Sequence, residues 1–135
     1  SFGTAMSYLI DTHIFLWLLF EPKKVPSPKL EILQDSKNTV RISSISFWEI
    51  SLKFSLGKLF LQGATPEKLP SLAVQMGLEI IDATADELSS IHKLPNYHKD
   101  PFDRIIIHQA ISRKMTLVSE DGKFEAYKEH GLMLI

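Results

Sequence analysis

Cysteine is absent from this chain of 135 residues. That excludes a disulfide scaffold and any zinc site built on thiolates. Long apolar runs are missing too. The longest, Ile14–Phe20, has seven residues, far below the ~20 a membrane-crossing helix needs, so no membrane partner is expected. Neither sign of charge is in excess: 15 Lys and Arg meet 16 Asp and Glu, a net −1. A strongly basic nucleic-acid binder is therefore excluded, and any contact with nucleic acid has to come from a local patch or a metal site. The six glycines are scattered and form neither GxGxxG nor a Walker A loop. No GxSxG elbow offers an acyl-transfer nucleophile. The histidines (His13, His92, His98, His108 and His130) make no i, i+4 pair and no HExxH motif, which argues against a zinc hydrolase. No signal peptide is apparent, which makes a cytoplasmic protein the default.

What is present is the composition of a globular α/β domain. Hydrophobic residues make up 44% of the chain, enough to bury roughly two-thirds of the unfolded surface at this length. Ser1–Ala5 carry no periodic pattern and read as a cloning scar before Met6. Residues 6–135 are expected to form one domain. Tyr8-Leu9-Ile10 reads as a buried strand, and Thr12–Phe20, apolar on most faces, as a buried helix. Ser27 is expected to cap a helix to about Ser36. Thr39–Ile42 reads as a second strand, followed by a helix over Ile45–Leu56 stopped by Gly57. A helix opened by Thr65-Pro66 ends at Gly77, and Leu78–Ile81 is a third strand. Thr84, with Glu87 three residues on, signals a capping box for Ala85–His92. Leu94–Phe102 reads as a loop, Asp103–Lys114 as a helix, Thr116–Val118 as a fourth strand, Lys123–Lys128 as a short helix and Leu132–Ile135 as a last strand. Strands alternating with helices imply right-handed crossovers. The expected fold is a three-layer α/β/α domain around a mostly parallel sheet of about five strands. Ligands of such sheets sit outside the carboxyl ends of the strands.

The acids fall on that edge. Asp11 follows the first strand, and Glu49 lies a turn into the helix after the second. Asp100 and Asp103 flank the start of the long helix, and Glu120 and Asp121 follow the fourth strand. Acids gathered without matching cations repel, unless a divalent cation sits among them. Oxygen ligands without Cys suit Mg²⁺ or Mn²⁺. Each acid also has a plain structural reading. Asp103 serves equally as a helix cap, Asp121-Gly122 is a common turn pair, and Glu49 with Lys53 is spaced as an i, i+4 surface pair. Glu49, however, sits in a helix that is apolar nearly all round. The pairs Lys23-Lys24 and Arg113-Lys114 read as solvated charge.

Three stretches carry a family resemblance: YLIDTHIFLWLL, ISSISFWEISLKFSLGKL and HKDPFDRIIIHQAISRKMTLVSEDGKFEAY. They resemble PIN-domain endoribonucleases, and among them the VapC-type toxins of toxin–antitoxin pairs, over Tyr8 to Ile135. The resemblance implies Asp11, Glu49, Asp103 and Asp121 as the acidic quartet, with Asp11 and Asp103 as direct metal ligands. Asp100 is then a supporting acid, and Thr12 and Ser119 supporting hydroxyls. The chain departs from the family pattern at Glu120-Asp121, where two acids adjoin. Asp121 is favoured by its spacing to Phe124, with Glu120 as the alternative. Lys53 and Arg104 are the nearest candidate cations for phosphate.

The implied activity is Mg²⁺- or Mn²⁺-dependent hydrolysis of RNA phosphodiester bonds. The implied partners are RNA, a second copy of the chain, and a cognate antitoxin whose C-terminal segment lies across a groove and reaches the acids with an arginine. Phe47, Trp48, Phe54, Leu56, Leu59 and Phe60 fall on several faces of their segment, which suggests such an interface. For Trp48 a place in the core is the competing reading. Two rival functions remain: a catalytically inactive PIN-like interaction domain, and a response-regulator-like domain using Asp82 after the third strand.

Overall fold

The computed structural model describes residues 6–135, so the reading of Ser1–Ala5 as a scar lies outside the described residues. Five strands form one sheet in the order β3-β2-β1-β4-β5. They are β1 (Ser7–Ile10), β2 (Thr39–Ser43), β3 (Glu79–Ile81), β4 (Thr116–Val118) and β5 (Met133–Leu134). Every pairing is parallel, where the sequence implied a mostly parallel sheet.

Alternation along the strands builds two cores. Tyr8 and Ile10 of β1 join Val40, Ile42 and Val118 on one face. Leu9, opposite Leu117 in register, faces the other side. The first core is covered by α1 (Thr12–Phe20), α3 (Ser44–Ser55) and α4 (Leu69–Gln75), through Ile14, Phe15, Ile50, Leu69 and Ala73. The second lies under α6 (Pro101–Arg113) and the 3-10 helix Gly122–His130, through Phe102, Ile106, Ile107, Phe124 and Tyr127. Two further helices, α2 (Ser27–Gln34) and α5 (Ala85–Ser90), complete the layers. No described helix is long and apolar enough to cross a membrane.

Several boundaries differ from the sequence reading, for local reasons. Ser27 is the first residue of α2 rather than its cap; Pro26 holds that position without a side-chain bond. The helix after Thr65 begins as a 3-10 turn, Pro66–Lys68, before α4. The second half of α1, residues 16–20, is only half-buried, although it packs against the first core. The capping box at Thr84 and Glu87 forms in full, and Gly57, at φ +70, follows the cap of α3 in the left-handed region glycine favours. The shift that bears on the site concerns α6, which starts two residues earlier than expected. Asp100, not Asp103, is its cap, accepting from Phe102 N at 2.8 Å and Asp103 N at 3.1 Å. That frees the Asp103 carboxylate for other work.

Strand order reverses at β1. Connections run from β1 to β2 and β3 on one side, and the chain then returns to β4 on the other. The carboxyl ends of β1 and β4 therefore flank the switch point of the sheet, where a crevice opens.

Candidate metal centre

Asp11 leaves β1 as the cap of α1, its Oδ1 accepting from Ile14 N at 2.8 Å. Its other oxygen accepts from Ser119 Oγ at 2.6 Å, across the switch point. Asp121 N in turn donates to Ser119 Oγ at 3.0 Å. One hydroxyl thus ties the ends of β1 and β4 together. Burial lifts the Asp11 carboxyl above its ordinary pKa, against the hydrogen bonds from Ser119 and Ile14.

Glu49 is buried on the inner side of α3. Thr12 Oγ1 donates to its Oε1 at 2.7 Å and lies 2.8 Å from Ser46 Oγ. Its Oε2 is paired with Lys53 one turn on. This i, i+4 pair is no surface ornament, since one partner is inside. Burial works against the Lys53 ammonium, but the hydrogen bond and charge of Glu49, with Asp100 and Asp103 beyond, hold its pKa above the usual value.

Asp103 feels every acid around it. Burial lifts its carboxyl first, and the charges of Asp100, Glu49, Asp11 and Asp121 lift it further, to about 7. Asp121 caps the 3-10 helix, Oδ1 accepting from Lys123 N at 2.9 Å. All four acids of the expected quartet, with Asp100 and Glu120, line one cleft of about 730 Å³. Lys53, Lys99, Lys123, Trp17 and Tyr97 also line it.

Four residues have settings that differ from the sequence reading. Glu120 lines the cleft but its carboxylate is paired with Lys29, whose Nζ also donates to Ser119 O at 3.0 Å. The Arg104 guanidinium, expected to meet phosphate, is spent on the loop Leu94–Asp100: it donates to Pro95 O at 2.9 Å and Leu94 O at 3.1 Å. Arg113, read as solvated charge, holds the buried Glu87 at 2.7 Å. Asp82 follows the edge strand β3, and its carbonyl accepts from Arg113 at 2.6 Å. A phospho-acceptor after a middle strand is not what it is.

His98 was missed. Its Nε2 lies 3.1 Å from Asp103 Oδ2 and 3.5 Å from Asp121 Oδ2. One potential ligand atom of each of these three residues lies within 4.8 Å of the others, the one such group among the described residues. Helical spacing cannot reveal it, because the loop before α6 delivers it. Its position two residues before Asp100 was the available signal. The donor set fits a divalent cation: carboxylates from separate segments line one cleft, Asp11 and Glu49 among them buried, and burial with the surrounding acids lifts Asp103 to about 7.

The PIN domain family model matches residues 8–130. No curated protein matches. Among solved structures, VapBC2 of Rickettsia felis bound to a DNA fragment from its promoter is similar at 25% identity, covering 96% of this chain and 98% of the other, with a TM-score of 0.67. VapBC-1 of nontypeable Haemophilus influenzae aligns at 17% identity over 96% and 97%, TM-score 0.68, and FitAcB of Neisseria gonorrhoeae at 20% over 95% and 96%, TM-score 0.61. These last two support the fold alone. With the sheet order, the acid-lined switch point and a family match over nearly the whole length in agreement, the chain belongs to the PIN domain family.

Proposed function

We propose that the chain is an Mg²⁺- or Mn²⁺-dependent endoribonuclease, the toxin of a toxin–antitoxin pair acting in the cytoplasm. The observation that carries this reading is the environment of Asp103: burial, and then four further acids around a half-buried carboxyl, lift its pKa to about 7. A fold does not build that repulsion into a cleft for stability. It supports a site completed by a cation.

Asp11 and Asp103 would hold the ion, with Glu49 and Asp121 at its flanks. When bound, such an ion supplies neutralisation of charge on the phosphoryl oxygens and a lowered pKa for the attacking water. The remaining work belongs to the chain. Ser119 and Ile14 N fix the Asp11 carboxylate in one orientation. Thr12 and Lys53 do the same for Glu49. Lys53, partly exposed at the cleft, is the cation placed to meet a phosphate, and Lys99 and Lys123 stand on the rim. The aromatic faces of Trp17 and Tyr97 line the same cleft and suit unstacked bases, as single-stranded RNA presents them.

The partners are proposed on two supports: the similar structures are VapBC and FitAB complexes, and this chain exposes Trp48, Leu52, Phe54, Leu56 and Phe60 along and after α3. A cognate antitoxin and a second copy of the chain would cover them. The test is purified protein with single-stranded RNA, with and without Mg²⁺, beside Asp11→Asn. The reading expects metal-dependent cleavage that Asp11→Asn lowers at least ~100-fold. Cleavage that survives both chelation and Asp11→Asn would end it. Metal binding without any cleavage would instead support the inactive interaction domain.

A further inference from the structure

His98 has a place in the cleft but no role in the quartet. Its side chain is 7% exposed and its ring packs on Phe124, centroids 5.4 Å apart. The loop that carries it is pinned independently of the acids. Arg104 holds the carbonyls of Leu94 and Pro95. Tyr127 Oη donates to Pro95 O at 2.7 Å and accepts from His98 N at 2.9 Å. Asp100 N then donates to His98 Nδ1 at 3.2 Å. An N–H aimed at Nδ1 needs a lone pair there, so the neutral ring carries its proton on Nε2. That nitrogen faces Asp103 Oδ2 and Asp121 Oδ2, and neither oxygen lies on the line of a full hydrogen bond. Nε2 sits between two carboxylates from different segments.

We propose that His98 is a positioning residue whose Nε2–H is shared by Asp103 and Asp121, holding the two acids at a fixed separation with or without a cation. Two carboxylates that face one nitrogen across a cleft repel, and a donor between them stabilises both. Its consequence for metal affinity rests on the metal-site reading above; the tautomer does not. Direct ligation by Nε2 is opposed by the backbone. A metal-bound Nε2 gives up its proton, and the neutral ring would then carry it on Nδ1, against the Asp100 N–H.

The experiment is a two-bond ¹H–¹⁵N correlation spectrum of the full chain, with labelled imidazoles, at pH 8. The Nε2–H tautomer is expected without metal and after adding Mg²⁺, with an Nε2 resonance that moves in Asp121→Asn. A proton on Nδ1 without metal, or one moved there by Mg²⁺, would overturn the proposal, the second result making His98 a ligand. Calorimetric Mn²⁺ titration adds a second readout. His98→Gln keeps an N–H at similar reach and should retain affinity within about threefold, whereas His98→Leu should lose about 10–100-fold. Equal affinity in all three proteins, or equal loss in both variants, would contradict a donor role. If the unmodified chain binds no Mn²⁺, the metal-site reading falls, while the metal-free spectrum still decides whether His98 is the donor.

Discussion

Asp103 illustrates how a side chain can oppose the fold that holds it. An unfolded Asp titrates near its ordinary 3.8, whereas the folded carboxyl titrates at about 7. Between those values the folded chain holds a proton that the unfolded chain has lost. Its contribution to stability is therefore fully present below pH ~4 and lost as pH rises through about 7. Asp103→Asn cannot ionise and leaves the Asp100 cap intact. Metal-free melting at pH 8 should show the variant more stable by roughly 3–6 °C, on the order of 1 kcal/mol at this size, with no gain at pH 4. A lower melting temperature at pH 8 would mean that Asp103 has a structural role. The acids were legible, since each follows a strand, opens a helix or, as with Glu49, sits a turn into an apolar helix. Their partners were legible only in part. The resemblance supplied Thr12 and Ser119 as hydroxyls beside the acids, but Ser46 and His98 meet them only once the chain is folded, and Arg104 could be assigned to phosphate only while its loop carbonyls were unseen.

The elements were legible where a pattern is local. The Thr84–Glu87 capping box and the short β4 both form where the sequence places them. The start of α6 was not, because Asp100 and Asp103 are both good caps and only the backbone chooses between them. Glu87 shows why a local motif is incomplete. It serves the α5 cap and also accepts from Arg113, with bonds of 2.7 and 2.8 Å, and from Gln109 at 3.3 Å on α6. The Arg113 hydrogen bond dominates and draws the Glu87 pKa down to about 2. That stability is present above an ordinary Glu's ~4.5 and is lost as pH falls toward 2. Arg113→Ala should cost about 2 kcal/mol near pH 7, by leaving a buried carboxylate without its partner. Denaturant unfolding should show a smaller cost at pH 2.5. A cost independent of pH would place the effect in packing rather than charge.

The described residues form a cleft lined with acids and a row of apolar side chains that the core does not use. Phe60 is 81% exposed and Trp48 57%, with Trp48 resting edge-on against Phe102 at 4.8 Å. Phe47 and Leu59 pack into the first core instead. Alternating strands and helices made the parallel three-layer fold legible. Helical spacing alone could not separate these core aromatics from the exposed ones. Light scattering should give twice the 15.3 kDa chain mass, and Phe60→Glu with Trp48→Glu should return the monomer. A strict monomer at high concentration would refute the homodimer. Whether these acids hold a divalent cation can be tested without knowing the RNA target. Calorimetric titration with Mn²⁺ should show binding in the unaltered chain and none in Asp11→Asn/Asp103→Asn. Unchanged binding in the double variant would contradict the account.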